Sequence, residues 1–433
     1  MRRIILILAI FYCGTLFSQS YIEEVRPFVN REAARAWFVP QHKSTLEDGE
    51  ENRYLRGVEW SQDESDKLVY RASCNIPFAW ANRQILLRVK SAPQPFALYV
   101  GDRFAGRVQT GATPSEFNLT KLLKEGRNEL TIKLEPNMEY ATFEDFVHPS
   151  NVGESMLISQ PTIRIREVLA VTKEIASKNL SEVAIVVKSD ALNRKSARIY
   201  YELLSPSGVR VKMGHQDISL SMRGEDTLRF TANIEQDSLW SIDSALYYTL
   251  RLRTQTMSRF TEYINLKVAF RTLEYSDFGL KINGKQELLK GYVVDKELNA
   301  EELHAIKDRG YNLLYPLPGY STEELYSMAD TIGLYVVAQA PLCSEKSGME
   351  RTKGGNPSNK PELRLCAAER AEAAYHTSKH HPSVVAYSIA HNSSNGICLY
   401  ESYLGMKRLE PTVPIIYLGA DGEWNSDKLA IIW

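Results

Sequence analysis

Short runs of β-favouring residues, with partial alternation of apolar and polar positions, dominate residues 19–160. Residues 67–72 and 84–89 show this pattern, and residues 96–100 form a short apolar run. Gly101 then begins a turn of the kind that joins two hairpin strands. The pattern predicts an all-β domain over residues 19–160.

A second group of strand-like runs occupies residues 161–273. Residues 183–187, 197–203 and 247–252 are rich in β-branched and aromatic side chains, and they are spaced as in a sandwich. Residues 206–208, Pro-Ser-Gly, mark a tight turn between strands. We therefore predict a second all-β unit, a β-sandwich.

The periodicity changes over residues 274–433, where apolar strand-like runs alternate with helical patterns. Asn299 with Glu302 three residues later forms a capping box at the start of one predicted helix. Ser321 with Glu324 repeats this signal at the start of the next helix. The alternation favours βαβα units around a parallel sheet.

Composition and charge narrow the function classes. At 433 residues the chain has room for about three domains. Hydrophobic residues make up 44% and charged residues 24%, which is typical of globular domains with sizeable cores. A formal net charge of −1 gives no basic field, so we do not expect the chain to bind nucleic acid.

Residues 1–18 have the features of a secretory signal peptide. Arg2 and Arg3 form the charged region, residues 4–12 form the apolar stretch, and cleavage is expected after Ser18. The apolar stretch is too short to span a bilayer, and no later stretch reaches the required length. We therefore expect no transmembrane segment and an exported protein, located in the periplasm, in the cell envelope or outside the cell.

The cysteines leave two interpretations open. Four remain after the expected cleavage, namely Cys74, Cys343, Cys366 and Cys398. None belongs to a C-x-x-C pair, so we expect no zinc site, and no pattern indicates a cofactor. An exported chain permits a disulfide among the last three, but separate buried thiols explain the sequence equally well.

The segment from His381 to Ser393 has the pattern of an apolar strand that ends in polar residues. It resembles the fourth barrel strand of glycoside hydrolase family 2, the β-galactosidase and β-glucuronidase family. In that family the strand begins with His-Pro-Ser and ends with Gly-Asn-Glu, whose Glu is the general acid/base. Residues 112–120 and 122–130 resemble the jelly-roll sugar-binding domain of the same family, and residues 239–241 and 269–271 resemble its immunoglobulin-like domain.

The resemblance implies a three-part architecture after the signal peptide. It consists of a jelly roll over residues 19–160, an immunoglobulin-like β-sandwich over residues 161–273, and a TIM-like barrel over residues 274–433. A full (β/α)₈ barrel takes roughly 250 residues, and the segment from Leu429 to Trp433 resembles the fifth strand. The resemblance thus implies a truncated barrel of about five strands, without the seventh strand that carries the family's nucleophilic Glu.

The same comparison supplies the candidate site residues. Ser393 stands where the family has its acid/base Glu, and a hydroxyl does not replace the proton transfer that contributes about 10²–10⁴ in rate. Asn392 matches the family's sugar-binding amide, although a strand-end cap would also use an amide there. Gln339 binds sugar or fills a polar gap. We therefore predict two substrate-binding residues and no catalytic residue.

Other acids and histidines offer weaker candidates. We interpret four loop carboxylates as solvated surface charge rather than as substitute catalytic acids, namely Glu345, Glu350, Glu401 and Asp421. Three histidines lack an acidic partner at ligand-like spacing, so we predict no metal site at His380, His381 and His391.

Three functional hypotheses follow. The first is an exported pseudo-glycosidase that binds a glycan or a protein partner without cleaving sugar. The second is an active β-galactosidase-like enzyme, with relocated acids or with its half-barrel completed by another chain. The third is a cell-envelope component that self-associates or binds a partner through the edge of its last strand, from Leu429 to Trp433, because unpaired strand edges readily pair. The sugar, the linkage and the partner are left open.

Overall fold

The computed structural model describes residues 55–136, 139–175, 178–276, 279–347, 356–420 and 425–433. The expected signal peptide therefore lies outside the described residues, as do Glu350 and Asp421. In the part that is described, no helix combines the length and the apolar character needed to cross a membrane.

The first domain is a sandwich of two antiparallel sheets. Its strands are β1 (Leu55–Val58), β2 (Ser61–Gln62), β3 (Val69–Ile76), β4 (Gln84–Val89), β5 (Phe96–Val100), β6 (Arg103–Val108), β7 (Ser115–Asn118), β8 (Gly126–Leu134) and β9 (Ser155–Gln160). The sheet orders are β1-β9-β4-β7 and β2-β3-β8-β5-β6. Buried and exposed residues alternate along most of β3, because one face packs on a core that includes Trp80 and Phe117.

The second domain is also a two-sheet sandwich. Its strands are β10 (Ile163–Ile175), β11 (Lys178–Ser189), β12 (Lys195–Leu204), β13 (Arg210–Leu220), β14 (Glu225–Asn233), β15 (Tyr248–Thr256) and β16 (Arg259–Val268). The sheet orders are β10-β11-β14 and β13-β12-β15-β16. The inner faces of both sheets supply its core, for example Val183 and Ile185 of β11 together with Leu250 of β15.

A small three-stranded sheet leads into the last domain. It contains β17 (Leu273–Ser276), β18 (Gly279–Ile282) and β19 (Lys285–Gln286). Asn283 and Gly284 form the turn between β18 and β19 with φ of 51° and 78°, the left-handed values that two-residue hairpins require. The Asn283 amide also donates to the Trp240 carbonyl at 2.9 Å, so the turn is joined to the second domain.

The last domain is a parallel sheet with helices between its strands. Its elements are β20 (Leu289–Val294), α1 (Ala300–Asp308), β21 (Leu313–Pro316), α2 (Glu323–Ile332), β22 (Tyr335–Gln339), α3 (Arg364–Ser378), β23 (Val384–Ser388), α4 (Ile397–Leu409), β24 (Ile415–Ile416) and β25 (Ile431–Ile432). The order is β24-β23-β22-β21-β20-β25, and every neighbouring pair is parallel. Two β-rich domains and a partial TIM-like barrel confirm the predicted fold class.

Single-turn 3₁₀ helices complete the regular structure, at Phe78–Trp80, Glu139–Phe143, Gln236–Ser238, Glu345–Ser347, Pro357–Asn359, Pro361–Leu363 and Leu418–Ala420.

The assignment of the fifth strand was wrong. Ile415–Ile416 pairs with β23 and is the fifth strand of the series. The segment from Leu429 to Trp433 instead carries β25, which pairs in parallel with β20, the first strand of the sheet. The same segment also packs against β21, since the ring of Trp433 lies 5.5 Å from that of Tyr315, centroid to centroid.

The predicted helix starts are confirmed at one helix and displaced at the other. Asn299 and Glu302 form the capping box of α1, with both hydrogen bonds at 2.9 Å. At α2 the cap is Thr322, whose side chain accepts from the Leu325 N–H. Ser321 does not cap this helix, because its hydroxyl accepts the Gln339 N–H at 2.8 Å.

Ion pairs with buried side chains join the domains. Arg88 and Glu116 of the first domain pair at 2.7 Å, and Arg166 of the second domain lies 3.7 Å from the same carboxylate. Lys379 after α3 pairs with Glu167 of β10. Because an unpaired charge is expensive to bury, these pairs favour one arrangement of the three domains.

Candidate functional site

The carboxyl ends of the parallel strands form the candidate site. β22 ends at Gln339 and β23 at Ser388, and these two residues are in register. Beyond the strands, Cys343 forms a backbone bridge with His391. The loop that carries Asn392 and Ser393 therefore runs beside the loop that follows β22, at the edge where barrel enzymes place their chemistry.

Ser393 is buried, with an exposure of 1%. Its hydroxyl accepts the Ser344 N–H and donates to the His391 carbonyl, both at 3.0 Å. Its backbone N–H donates to the Tyr417 hydroxyl at 3.1 Å, and that hydroxyl also contacts the Ser393 carbonyl. The side chain at the acid/base position thus holds loops together and points to backbone groups.

Asn392 has an exposed side chain and a φ of 35°. Asparagine tolerates such positive values better than most residues. Its Nδ2 lies 3.4 Å from Oε2 of Glu345, and its backbone carbonyl accepts from the Cys343 thiol at 3.8 Å. Within the described residues, this side chain contacts a carboxylate and no backbone group, so its amide is able to meet a ligand.

Two carboxylates lie near this loop. Glu345, which we interpreted as surface charge, contacts Asn392. Asp145 is held differently, because its Oδ2 accepts the Lys346 N–H at 2.8 Å. Burial raises the pKa of the Cys343 thiol, and the negative charges of both acids add to that rise. Among the residues described, Glu345 is the one acid in contact with Asn392.

Gln339 is buried, with an exposure of 2%. Its Nε2 donates to the Ala340 carbonyl at 3.1 Å, while its Oε1 has no hydrogen-bond partner in the described chain. A buried acceptor without a partner costs roughly 1–3 kcal/mol. Gln339 and Asn392 lie on neighbouring strand ends, but the contacts of Gln339 do not include Asn392.

The remaining candidates serve other contacts. Glu401 lies on α4 rather than in a loop, and it pairs with Arg364 at 3.3 Å. His381 Nδ1 lies 2.6 Å from Oδ2 of Asp330. Burial works against the charged imidazole, but Asp330 outweighs it and raises the pKa of His381. No three metal-ligating side chains cluster in the ranges that the structure describes.

The four described cysteines are free and buried, which decides between the two interpretations of Cys343, Cys366 and Cys398. Burial raises the pKa of Cys398 to about 12 and that of Cys74 to about 11. These thiols are therefore protonated at neutral pH and serve as packing groups.

A buried ion pair that the sequence does not reveal lies next to the site and contacts the loop that follows β22. Arg370 of α3 pairs with Glu144 through Nη1, which also donates to the Pro341 carbonyl at 2.6 Å, and its Nη2 donates to the Gln109 carbonyl at 2.9 Å. Glu144 also forms a backbone bridge with Cys343. One guanidinium thus connects the first domain, at Gln109 and Glu144, with the loop beyond β22, at Pro341.

Two family models match the chain. The model described as "Glycosyl hydrolases family 2, sugar binding domain" matches residues 59–161. The model described as "Glycosyl hydrolases family 2, TIM barrel domain" matches residues 284–432, which include the strand-end site.

Curated relatives are similar along most of this chain. A β-galactosidase of Halalkalibacterium halodurans is 23% identical over 401 residues, which cover 88% of this chain and 39% of the relative. A β-galactosidase of Yersinia enterocolitica is 25% identical over 352 residues, covering 75% of this chain and 33% of the relative. The chain thus spans less than half the length of these relatives.

Solved structures share the fold. A putative β-galactosidase from Bacteroides fragilis aligns with a TM-score of 0.68 at 17% identity, covering 84% of this chain and 58% of that one. A Bacteroides uniformis β-glucuronidase 2 aligns with a TM-score of 0.66 at 16% identity, covering 81% of this chain and 46% of that one. At these identities the likeness concerns architecture and leaves the activity open.

Proposed function

The chain belongs to glycoside hydrolase family 2, and we propose that it binds a glycan at the strand-end site without hydrolysing it. The observation that carries this proposal is the state of Ser393. A retaining glycosidase needs one carboxyl group to protonate the leaving oxygen and a second to attack the sugar, about 5–5.5 Å apart. At the position of the first there is a buried hydroxyl that already binds two backbone groups.

Sugar binding is supported by side chains at the carboxyl ends of the strands whose donors and acceptors are available for further hydrogen bonds. The Asn392 amide is exposed beside Glu345, and such a pair offers both a donor and acceptors to sugar hydroxyls. The buried Oε1 of Gln339 is an acceptor with no partner among the described residues. The match of residues 59–161 to a sugar-binding domain adds weight to a glycan ligand.

An active enzyme is the second candidate, and Glu345 is the observation that favours it. This carboxylate lies 3.4 Å from the retained amide, so it could act as a relocated acid. The charge of Glu345 also opposes the effect of burial, which lowers the pKa of the neighbouring His391. A second acid would still be needed for the retaining reaction.

One experiment separates the two candidates. Purified wild type is titrated calorimetrically with β-linked galactosyl and glucuronosyl oligosaccharides and is assayed for release of nitrophenol from the matching nitrophenyl glycosides. We expect binding without turnover. Asn392→Ala should weaken binding by about three- to tenfold, as expected for one hydrogen bond, whereas Asn193→Ala, on an exposed bend of the second domain, should bind as wild type.

Two results would contradict the proposal. Turnover by wild type that Glu345→Gln abolishes would establish the enzyme and end the proposal. Binding that is unaffected by Asn392→Ala would place the glycan elsewhere on the molecule.

We also propose that the protein is exported, on the basis of the signal-like residues 1–18. Expression of the full chain, followed by fractionation and N-terminal sequencing of the mature protein, tests this. A cytoplasmic product that retains Arg2 and Arg3 would contradict it.

Self-association through the segment from Leu429 to Trp433 is a further proposal. Ile432 and Trp433 are about half exposed at the edge of the parallel sheet. Light scattering after size exclusion compares wild type with a chain truncated after Asp427. A lower mass for the truncated chain is expected, and an unchanged mass with unchanged solubility would count against it.

A further inference from the structure

The outer face of one sheet in the second domain carries a continuous row of aromatic and cationic side chains. His215 of β13 is in register with Tyr200 of β12, Tyr200 with Arg253 of β15, and Arg253 with Tyr263 of β16. Each of the four strands thus contributes one residue to the row. Phe260 lies beside it, and we call these five residues the aromatic row.

The members of the aromatic row contact one another across the strands. The ring centroid of Tyr200 lies 5.4 Å from that of His215 and 5.6 Å from that of Phe260. The guanidinium of Arg253 lies 5.4 Å and 5.2 Å from the ring centroids of Tyr200 and Phe260. The rings are tilted against one another, by 39° between Tyr200 and His215 and by 60° between Tyr200 and Phe260. Three members of the row are exposed to solvent, namely His215, Arg253 and Phe260.

The charges around the row are predominantly positive. Asp217 pairs with Arg198 at 2.6 Å, and Glu202 pairs with Arg210 at 2.7 Å and lies 3.5 Å from Arg251. Both of these carboxylates are therefore neutralised by arginines. Arg253, in contrast, lies over two rings, is exposed to solvent and forms no ion pair among the described residues.

We propose that the aromatic row binds an acidic polysaccharide built from uronic acid units. The apolar faces of sugar rings stack on aromatic side chains, and the guanidinium of Arg253 matches a carboxylate with two parallel hydrogen bonds. The surplus of arginine attracts an anionic polymer, and a neutral glycan would gain nothing from it. This surface lies on the second domain, apart from the strand-end site, and does not depend on it.

The test uses two forms of one polymer and three variants of the protein. Oligogalacturonate and its methyl ester have the same sugar backbone but differ in charge. Both are titrated into wild type, Arg253→Gln, Phe260→Ser and Arg229→Gln. Arg229 is the matched control, because it is an exposed arginine of the same domain on the other sheet. Circular dichroism and the unfolding midpoint establish that each variant is folded.

The aromatic row predicts a specific set of results. Wild type binds oligogalacturonate at least tenfold more tightly than the ester, and added salt weakens the binding because exposed charges are screened. Arg253→Gln reduces affinity by about tenfold, as expected for a hydrogen bond to a charged group. Phe260→Ser also weakens binding, and Arg229→Gln does not.

Three results would overturn the proposal. They are equal affinity for the acid and the ester, equal affinity of Arg253→Gln and wild type, and tighter binding of oligothymidylate, which could use the same rings and cation. Asn392→Ala in the same titration separates this surface from the barrel. Unchanged oligogalacturonate binding by that variant supports a separate surface, and its loss would place the acidic glycan at the strand ends instead.

Discussion

Replacing Glu144 with glutamine tests how the domains are held together beneath the site. The Glu144 carboxylate and the Arg370 guanidinium are both buried, with side-chain exposures of 5% and 1%. Burial favours the neutral guanidine, but the charge of Glu144 outweighs it and raises the pKa of Arg370. The glutamine therefore leaves Arg370 charged, buried and without its counter-charge.

The expected cost follows from that geometry. Removing one partner of a buried ion pair typically costs about 3–5 kcal/mol in the free energy of unfolding. Arg370 keeps its bonds to the carbonyls of Pro341 and Gln109, so a value near the lower end is expected. The exposed pair of Arg127 and Glu129 contributes only about 0–1 kcal/mol.

Urea denaturation followed by circular dichroism measures the difference, with Glu129→Gln as the matched control. Glu144→Gln should shift the midpoint far more than the control does. The double variant Glu144→Leu/Arg370→Met should recover much of the loss, because no buried charge remains. A Glu144→Gln protein within about 1 kcal/mol of wild type would refute the argument that this pair compensates a desolvated charge.

Three further predictions concern single residues. Burial raises the pKa of Glu262 from 4.5 to about 7. Wild type should therefore lose stability relative to Glu262→Gln, by about 1.4 kcal/mol per pH unit, as pH rises from about 4.5 to about 7. A pH-independent difference in urea midpoints would contradict this. Asn299→Ala should cost about 1 kcal/mol by removing a helix cap, which thermal unfolding measures against Asn193→Ala. Ser393→Ala should cost roughly 1–3 kcal/mol, because the buried Ser344 N–H loses its acceptor, and a wild-type urea midpoint would show that the hydroxyl does not hold the loops.

Much of the architecture could be predicted because it depends on local pattern. Alternation along β3, the turn at Asn283 and the cap at Asn299 are each encoded within a few residues. The fifth strand was not predicted because Ile415–Ile416 is only two residues long. The longer apolar run from Leu429 to Trp433 has a pattern more typical of a strand. The position of that run beside β20 depends on packing, which no local pattern contains.

The candidate site also contains both features that the sequence predicts and features that it does not. The positions of Asn392 and Ser393 followed from the resemblance of one strand to a known family. The contact of Glu345 with Asn392 and the bonds of Tyr417 to Ser393 join separate loops, so only the folded chain reveals them. The pairing of Glu144 with Arg370 joins segments that are still further apart in sequence, with no motif to signal it.

The residues that begin the fourth barrel strand have a structural role. Asp330 receives the imidazole of His381 at 2.6 Å and the Ser383 N–H at 3.0 Å, while its carbonyl accepts the Trp240 indole N–H at 3.0 Å. Asp330 thus connects the start of the strand to the neighbouring helix and to the second domain. This structural role does not depend on catalysis. The His-Pro-Ser signature therefore marks the barrel fold, and it does not by itself indicate that a chain hydrolyses glycosides.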